Sequence, residues 1–253
     1  MKSSLAKNKV LRPKFPDHCS VAVIGLGGVG SIVARYASVF LASLQKEVWL
    51  ELVDGDKFEP GNASRMLFGK HGNKAKVVRR ELLPRFRQSK MAIVPYDKYV
   101  TPENIGGIIQ EHDIVLLCVD NHATRKLVNG HCAKLKNICL ISGGNDGVGK
   151  DSTKTVRRGT YGNVQVYIRK NGKDVTHSLA QFHPEIETPA DKMPHELNCT
   201  DLVLSKPQIL FSNLAVASAM LNALLLCLSG AAHYSELGFD IADGWARPLI
   251  GAK

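Results

Sequence analysis

The sequence has no C-x-x-C pair. Its six cysteines (Cys19, Cys118, Cys132, Cys139, Cys199 and Cys227) are scattered through 253 residues. Cys118 and Cys139 lie in apolar runs, where a thiol behaves as a small buried hydrophobe. This usage suits a reducing cytoplasm better than a disulfide scaffold. The basic N-terminal stretch MKSSLAKNKVLRPKFPDH contains no apolar core, so no secretory leader is read and the expected location is cytoplasmic. His177, His183, His195 and Cys199 share one polar segment, but their spacing matches no familiar zinc pattern. There is no internal repeat and no low-complexity tract. One stretch, residues 209–232, lacks charge over a length sufficient to cross a bilayer. Ser212, Asn213, Ser218 and Asn222 interrupt it and no other segment resembles it, so it reads as a buried helix with no membrane role.

What is present is the composition of a globular protein, 44% hydrophobic and 22% charged. The length suffices for one large core or two small ones. A formal net charge of +10 favours anionic partners: nucleotides, an acidic protein surface, nucleic acid or anionic lipid. A merely solubilising surface satisfies the same number.

Strands alternate with helices through the first half. Residues 20–24 (SVAVI) form a short apolar run ending at glycine, as a buried parallel strand does. Residues 31–44 carry apolar side chains at helical spacing, and 48–53 is a second strand ending on Asp54. A helix over 74–83 is closed by Pro84. Further strands are predicted at 91–95, 114–119 and 138–142, with a helix over 123–135. This pattern implies a mostly parallel, Rossmann-like α/β sheet flanked by helices.

The second half differs. Residues 161–168 alternate apolar and polar side chains, and Asn171-Gly172 signals a hairpin. Periodicity disappears from 175 to 204, which reads as a long crossover loop. Pro207 opens an apolar helix running to 228, and residues 238–249 hold one last strand. The expected organisation is a single domain over 1–253: an extension to 18, a nucleotide-binding half over 19–150, and the hairpin, loop, apolar helix and final strand over 151–253.

The chemistry starts at Gly25-Leu26-Gly27-Gly28-Val29-Gly30-Ser31, a G-x-G-x-x-G turn between a strand and a helix. Glycines let the backbone approach phosphates, and the helix N-terminus supplies free N–H donors. Asp54, at the end of the next strand, is placed for ribose hydroxyls or for a simple turn with Gly55. These features serve NAD and ATP equally. Arg65 and Lys76 break the tie, because charge builds on the β- and γ-phosphates when pyrophosphate leaves. Asp120 ends a strand at the edge where open α/β sheets bind ligands, and its carboxylate suits Mg²⁺. Alone, it reads better as a cap for the next helix.

With these residues the chain resembles the ThiF/MoeB/ubiquitin-activating-enzyme superfamily, adenylyltransferases that activate the C-terminal glycine of ubiquitin-like proteins. The resemblance is carried by GLGGVGS at 25–31, DGD at 54–56, Asn62-x-x-Arg65, the lysine of KAK at Lys76, and VDN at 119–121. It is clear over residues 19–145 and weaker beyond, where 199–213 is similar to small standalone bacterial relatives of the PRTRC type.

The resemblance implies ATP and Mg²⁺ as cofactors, with Gly25, Gly27, Gly28 and Gly30 around the phosphates and Asp54 on the ribose. Arg65 and Lys76 would bind the triphosphate, Asp120 the metal, and Asp56, Asn62 and Asn121 the rest of the nucleotide. The spacing before the lysine is shorter than the family pattern, which makes Lys74 the alternative to Lys76. The two C-x-x-C pairs that hold zinc in many bacterial relatives are missing, so no zinc is expected. Cys199 occupies the crossover region whose cysteine, in relatives, accepts an activated carboxylate or forms a persulfide; an inert thiol is the equal alternative. The implied partner is the C-terminus of a ubiquitin-like or sulfur-carrier protein, and the implied assembly a homodimer. Three other readings stand: a nicotinamide-dependent oxidoreductase, an enzyme acting on RNA, and a non-catalytic partner-binding module.

Overall fold

The computed structural model describes residues 10–16, 19–63, 66–150, 156–196 and 208–250. Ser64, Arg65, Cys199 and Pro207 lie outside the described residues.

Five parallel strands form one half of a nine-stranded sheet: β1 (Ser20–Ile24), β2 (Val48–Val53), β3 (Met91–Tyr96), β4 (Ile114–Leu117) and β5 (Ile138–Asn145). Their spatial order is β3-β2-β1-β4-β5. The sheet continues antiparallel from β5 through β6 (Tyr161–Lys170), β8 (Glu236–Asp240) and β9 (Trp245–Leu249), while β7 (Lys173–Asp174) forms a hairpin with β6.

All five residues of β1 are buried, as expected of a strand covered on both faces. The pleat divides them: Val21 and Val23 enter one core, Ala22 and Ile24 the other. The first core receives α1 (Gly30–Ser43), α2 (Lys74–Phe86) and α6 (Leu210–Leu228) through Val33, Ala37, Val78, Leu82, Val216 and Met220. The second receives α3 (Ile105–Ile108), α4 (His122–Cys132) and α5 (Leu179–Phe182) through Ile105, Val128, Cys132 and Leu179. The α/β, Rossmann-like class read from the sequence is therefore present, with its antiparallel extension.

Several boundaries differ from the sequence reading; helix α6, for one, opens at Leu210 and not at Pro207, and the strand over 114–119 ends at Leu117. Helix α2 passes Pro84 and ends at Phe86. The proline removes one hydrogen bond to Arg80, but both residues face solvent, so water can satisfy the freed carbonyl. Strand β5 runs three residues beyond Ser142, because β6 pairs with it as far as Gly162 opposite Asn145. The tail forms two strands where one was read. Asp240 Oδ1 accepts the Ala242 and Asp243 N–H groups, and Gly244 takes φ +67°, turning the chain back on itself. The described part of the aperiodic segment holds α5 and two 3₁₀ turns, Pro184–Ile186 and Pro194–Glu196. Helix α5 and the first of these turns are anchored where Leu179 and Ile186 enter the second core.

Among the described residues α6 is the one helix long and apolar enough to cross a membrane. Its Val216, Met220, Ala223 and Leu224 instead pack into the same core as β1 and α1.

Candidate functional site

Strand order reverses between β1 and β4, and the crevice at such a point, beyond the C-terminal strand ends, is where open α/β sheets hold ligands. A cleft of about 1160 Å³ lies there. Gly25, Gly27, Gly28, Asp54, Asp56, Asn62, Asp120 and Asn121 all line it.

The glycine turn is held against β2 by Asp54. This buried carboxylate accepts the Leu26 N–H at 2.6 Å and the Asp56 N–H at 2.8 Å. Burial pushes its pKa up, opposed by Lys74 and by the two N–H groups. Gly30 does not line the cleft. It lets α1 approach the turn, since a Cβ there would lie 1.8 Å from the Gly25 carbonyl oxygen. Helix α1 then opens with no side-chain cap and no acidic residue in its first turn. Its positive end is left for an anion.

Helix α2 brings in the lysine. Its cap, Asn73, accepts the Lys76 N–H and donates to the carbonyls of Asp54 and Asp56, fastening the helix to the loop after β2. Lys74 faces inward, buried, with Nζ 3.0 Å from Asp56 Oδ2. The other Asp56 oxygen accepts the Tyr99 hydroxyl, and the Tyr99 ring lies across Gly55. Two residues on, Lys76 points to the outer surface and pairs with Asp97. The structure thus brings Lys74 into the cleft and leaves Lys76 outside it. Helix phase decides this, because adjacent i and i+2 positions lie on opposite sides of a helix. Arg65 and Cys199, lying outside the described residues, receive no placement.

Asn62 and Asn121 face the cleft but spend part of their polarity on local structure. Asn62 Oδ1 accepts the Glu59 N–H at 3.0 Å, and Asn121 Oδ1 caps α4 through the Thr124 N–H at 2.8 Å. Asp191 adds a second cap by accepting the His122 and Ala123 N–H groups, both at 2.8 Å. Unlike α1, then, α4 has its positive end filled.

Asp120 is exposed at the cleft edge, with no hydrogen bond to its carboxylate among the described residues. Beneath it the buried Arg125 guanidinium binds Ser142 Oγ and the carbonyls of Val119 and Gly143, at 2.8–3.2 Å. Burial lowers the Arg125 pKa and the Asp120 charge opposes that shift. The arginine clamps the ends of β4 and β5.

The far wall of the cleft escaped the sequence reading. His183 holds the buried Glu236 at 2.9 Å through Nε2 and Glu185 at 3.0 Å through Nδ1, while Asn163 donates to Glu236 at 3.0 Å. The hydrogen bond to Glu236 leads in raising the His183 pKa, against burial. Burial works to raise Glu236, and the bonds from His183 and Asn163 outweigh it, so its pKa is lowered. No spacing rule joins residues 163, 183 and 236; the pairing of β6 with β8 brings Asn163 near Glu236, and the end of α5 carries His183 to them.

The model of the ThiF family matches residues 16–245. The chain is 37% identical over 117 residues to the adenylyltransferase and sulfurtransferase MOCS3 of Xenopus laevis, covering 45% of this chain and 24% of that protein. It is 35% identical over 117 residues to adenylyltransferase and sulfurtransferase uba4 of Aspergillus fumigatus, covering 43% and 22%. The chain thus spans about a quarter of the length of these curated relatives. Among solved structures, E. coli MccB with ATP superposes with a TM-score of 0.63 at 18% identity, covering 93% of this chain and 64% of that one. E. coli MccB with succinimide gives 0.65 at 16%, covering 92% and 64%. At such identity the likeness is one of fold.

Proposed function

The chain belongs to the ThiF family, and from that premise we propose that it binds ATP with Mg²⁺ in this cleft and adenylylates a carboxylate. The observation that carries the reading is the convergence of four features on one crevice: the uncapped α1 N-terminus, Asp54, Lys74 and Asp120. In this reading the glycine turn and α1 hold phosphate, and Asp54 takes the ribose with its remaining lone pairs. Lys74 exchanges Asp56 for the triphosphate, and Arg65 adds a second cation. Asp120 offers a hard, exposed oxygen donor of the kind Mg²⁺ accepts, and the ion would neutralise charge on the phosphates.

The acceptor carboxylate oxygen attacks the α-phosphorus, the α–β bridging bond breaks, and pyrophosphate leaves with the electron pair. A carboxylate ionised at neutral pH needs no protein base, so positioning and charge stabilisation supply the catalysis. The proposed acceptor is the C-terminus of a ubiquitin-like or sulfur-carrier protein. The relatives named as adenylyltransferase and sulfurtransferase support this. We further place the protein in the cytoplasm as a homodimer, with the outer face of α6, where Phe211 is 69% and Leu214 41% exposed, at the interface.

The test is ATP–pyrophosphate exchange dependent on a protein ending in Gly-Gly, with Asp120→Ala as the disabled variant. ATP, and not NAD, should raise the melting temperature. Stabilisation by NAD alone would overturn the proposal.

A further inference from the structure

Among the described residues, a buried polar group without a partner stands behind the phosphate turn. Asn213 lies in the first turn of α6, a helix without charge, and is completely buried. The Gly147 N–H donates to Asn145 Oδ1 at 3.3 Å, and Asn145 Nδ2 donates to Asn213 Oδ1 at 2.6 Å. This relay orients the Asn213 amide, with the oxygen toward β5 and the NH₂ group on the other side. That Nδ2 has no acceptor among the described residues. A Cβ on Gly28 would lie 2.3 Å from it, so the donor reaches the turn only because residue 28 is glycine. Gln208 Oε1 approaches the same point at 3.1 Å and lines the cleft.

Buried amide donors are nearly always satisfied, and packing alone would be served as well by leucine. The uncapped end of α1 directs partial positive charge at the same turn. The geometry points to Asn213 as a ligand-binding residue that donates Nδ2 to a phosphate oxygen of the nucleotide held at Gly27–Gly28. Asn145 is its positioning partner. Gln208 is the side chain that a phosphate displaces on entering. This assignment rests on the nucleotide reading above.

The test is calorimetric Kd for the ATP analogue AMPCPP and for pyrophosphate, with urea midpoints of the free proteins, for wild type, Asn213→Asp and Asn213→Ala. Asn213→Asp keeps the acceptor for Asn145 and the shape, but replaces the donor. It should weaken AMPCPP by tenfold or more, and Asn213→Ala by about fivefold, with the Asn213→Ala midpoint lowered because Asn145 loses its acceptor. A lowered midpoint with unchanged Kd would make Asn213 structural and overturn the assignment. Should Asn213→Asp not fold, Asn213→Ala decides alone. If wild type binds neither ligand, the nucleotide reading itself fails; if wild type binds and both variants match it, only the role of Asn213 fails.

Discussion

Methionine at Lys74, set beside methionine at Lys76, separates the two lysines that the sequence left as alternatives. Lys74 has a side chain 9% exposed with Nζ 3.0 Å from Asp56, whereas the Lys76 side chain is 56% exposed and paired with Asp97 outside the cleft. A hydrogen bond to a charged group is worth about 1.5–3 kcal/mol, and each 1.4 kcal/mol is roughly a factor of ten in Kd. Losing a Lys74–phosphate contact should therefore weaken ATP by about 10- to 150-fold. The lower part of that range is expected, because in the free protein Lys74 already has Asp56, and that partner must be given up. Asp56 has a side chain 52% exposed, so water can replace the lysine and the fold survives. Asp54 loses its chief neighbouring cation, and its already raised pKa should move further up. Lys76→Met removes only a solvent-screened pair and should leave ATP affinity unchanged. Titration calorimetry with ATP and Mg²⁺ at pH 7.5 reads both. A loss confined to Lys76→Met, with Lys74→Met binding as wild type, refutes the placement.

Three further outcomes follow from the geometry. Gly30→Ala would force a Cβ to within 1.8 Å of a backbone oxygen. It should cost about 1–3 kcal/mol or more in urea unfolding, and an unchanged midpoint would contradict that close approach. His183, raised above its ordinary 6.5 by Glu236 and Glu185, contributes stability that is complete below that value and is lost as pH rises through the folded pKa. Glu236, lowered from 4.5, contributes stability above that value. The penalty of His183→Gln should therefore be larger at pH 6 than at pH 9; a penalty growing with pH would refute the ion pair. Cys118 lines the cleft, but burial pushes its pKa up to about 12, so it carries no thiolate at neutral pH. Cys118→Ala should keep ATP–pyrophosphate exchange within about twofold, and abolished exchange in a folded variant would show otherwise.

Much of the first half was legible because its signals are local. A buried parallel strand must be apolar throughout, and SVAVI and IVLL say so without knowledge of their neighbours. The Asn171-Gly172 turn reads the same way: both residues adopt positive φ, +51° and +76°, as that dipeptide favours. Misreadings came where a competing local cue was weaker than it looked. Pro84 resembles a helix stop, yet on a solvent-facing last turn its missing hydrogen bond matters little. The tail looks like one strand because Asp240, Asp243 and Gly244 lie inside an otherwise continuous run, yet their turn chemistry folds it into two.

By itself the sequence determined the parallel half of the sheet, the phosphate turn and the acidic strand ends, since pleat period, glycine spacing and strand termination are set within a few residues. The tertiary structure decided which lysine enters the cleft, that Asp56 is held between Lys74 and Tyr99, and that His183 meets Glu236. It also decided that Asn213, from the far half of the chain, lies against Gly28. The physical reason is the same in each case. Helix phase against the sheet and the pairing of distant strands are settled by packing the whole core at once, and no spacing along the chain encodes them.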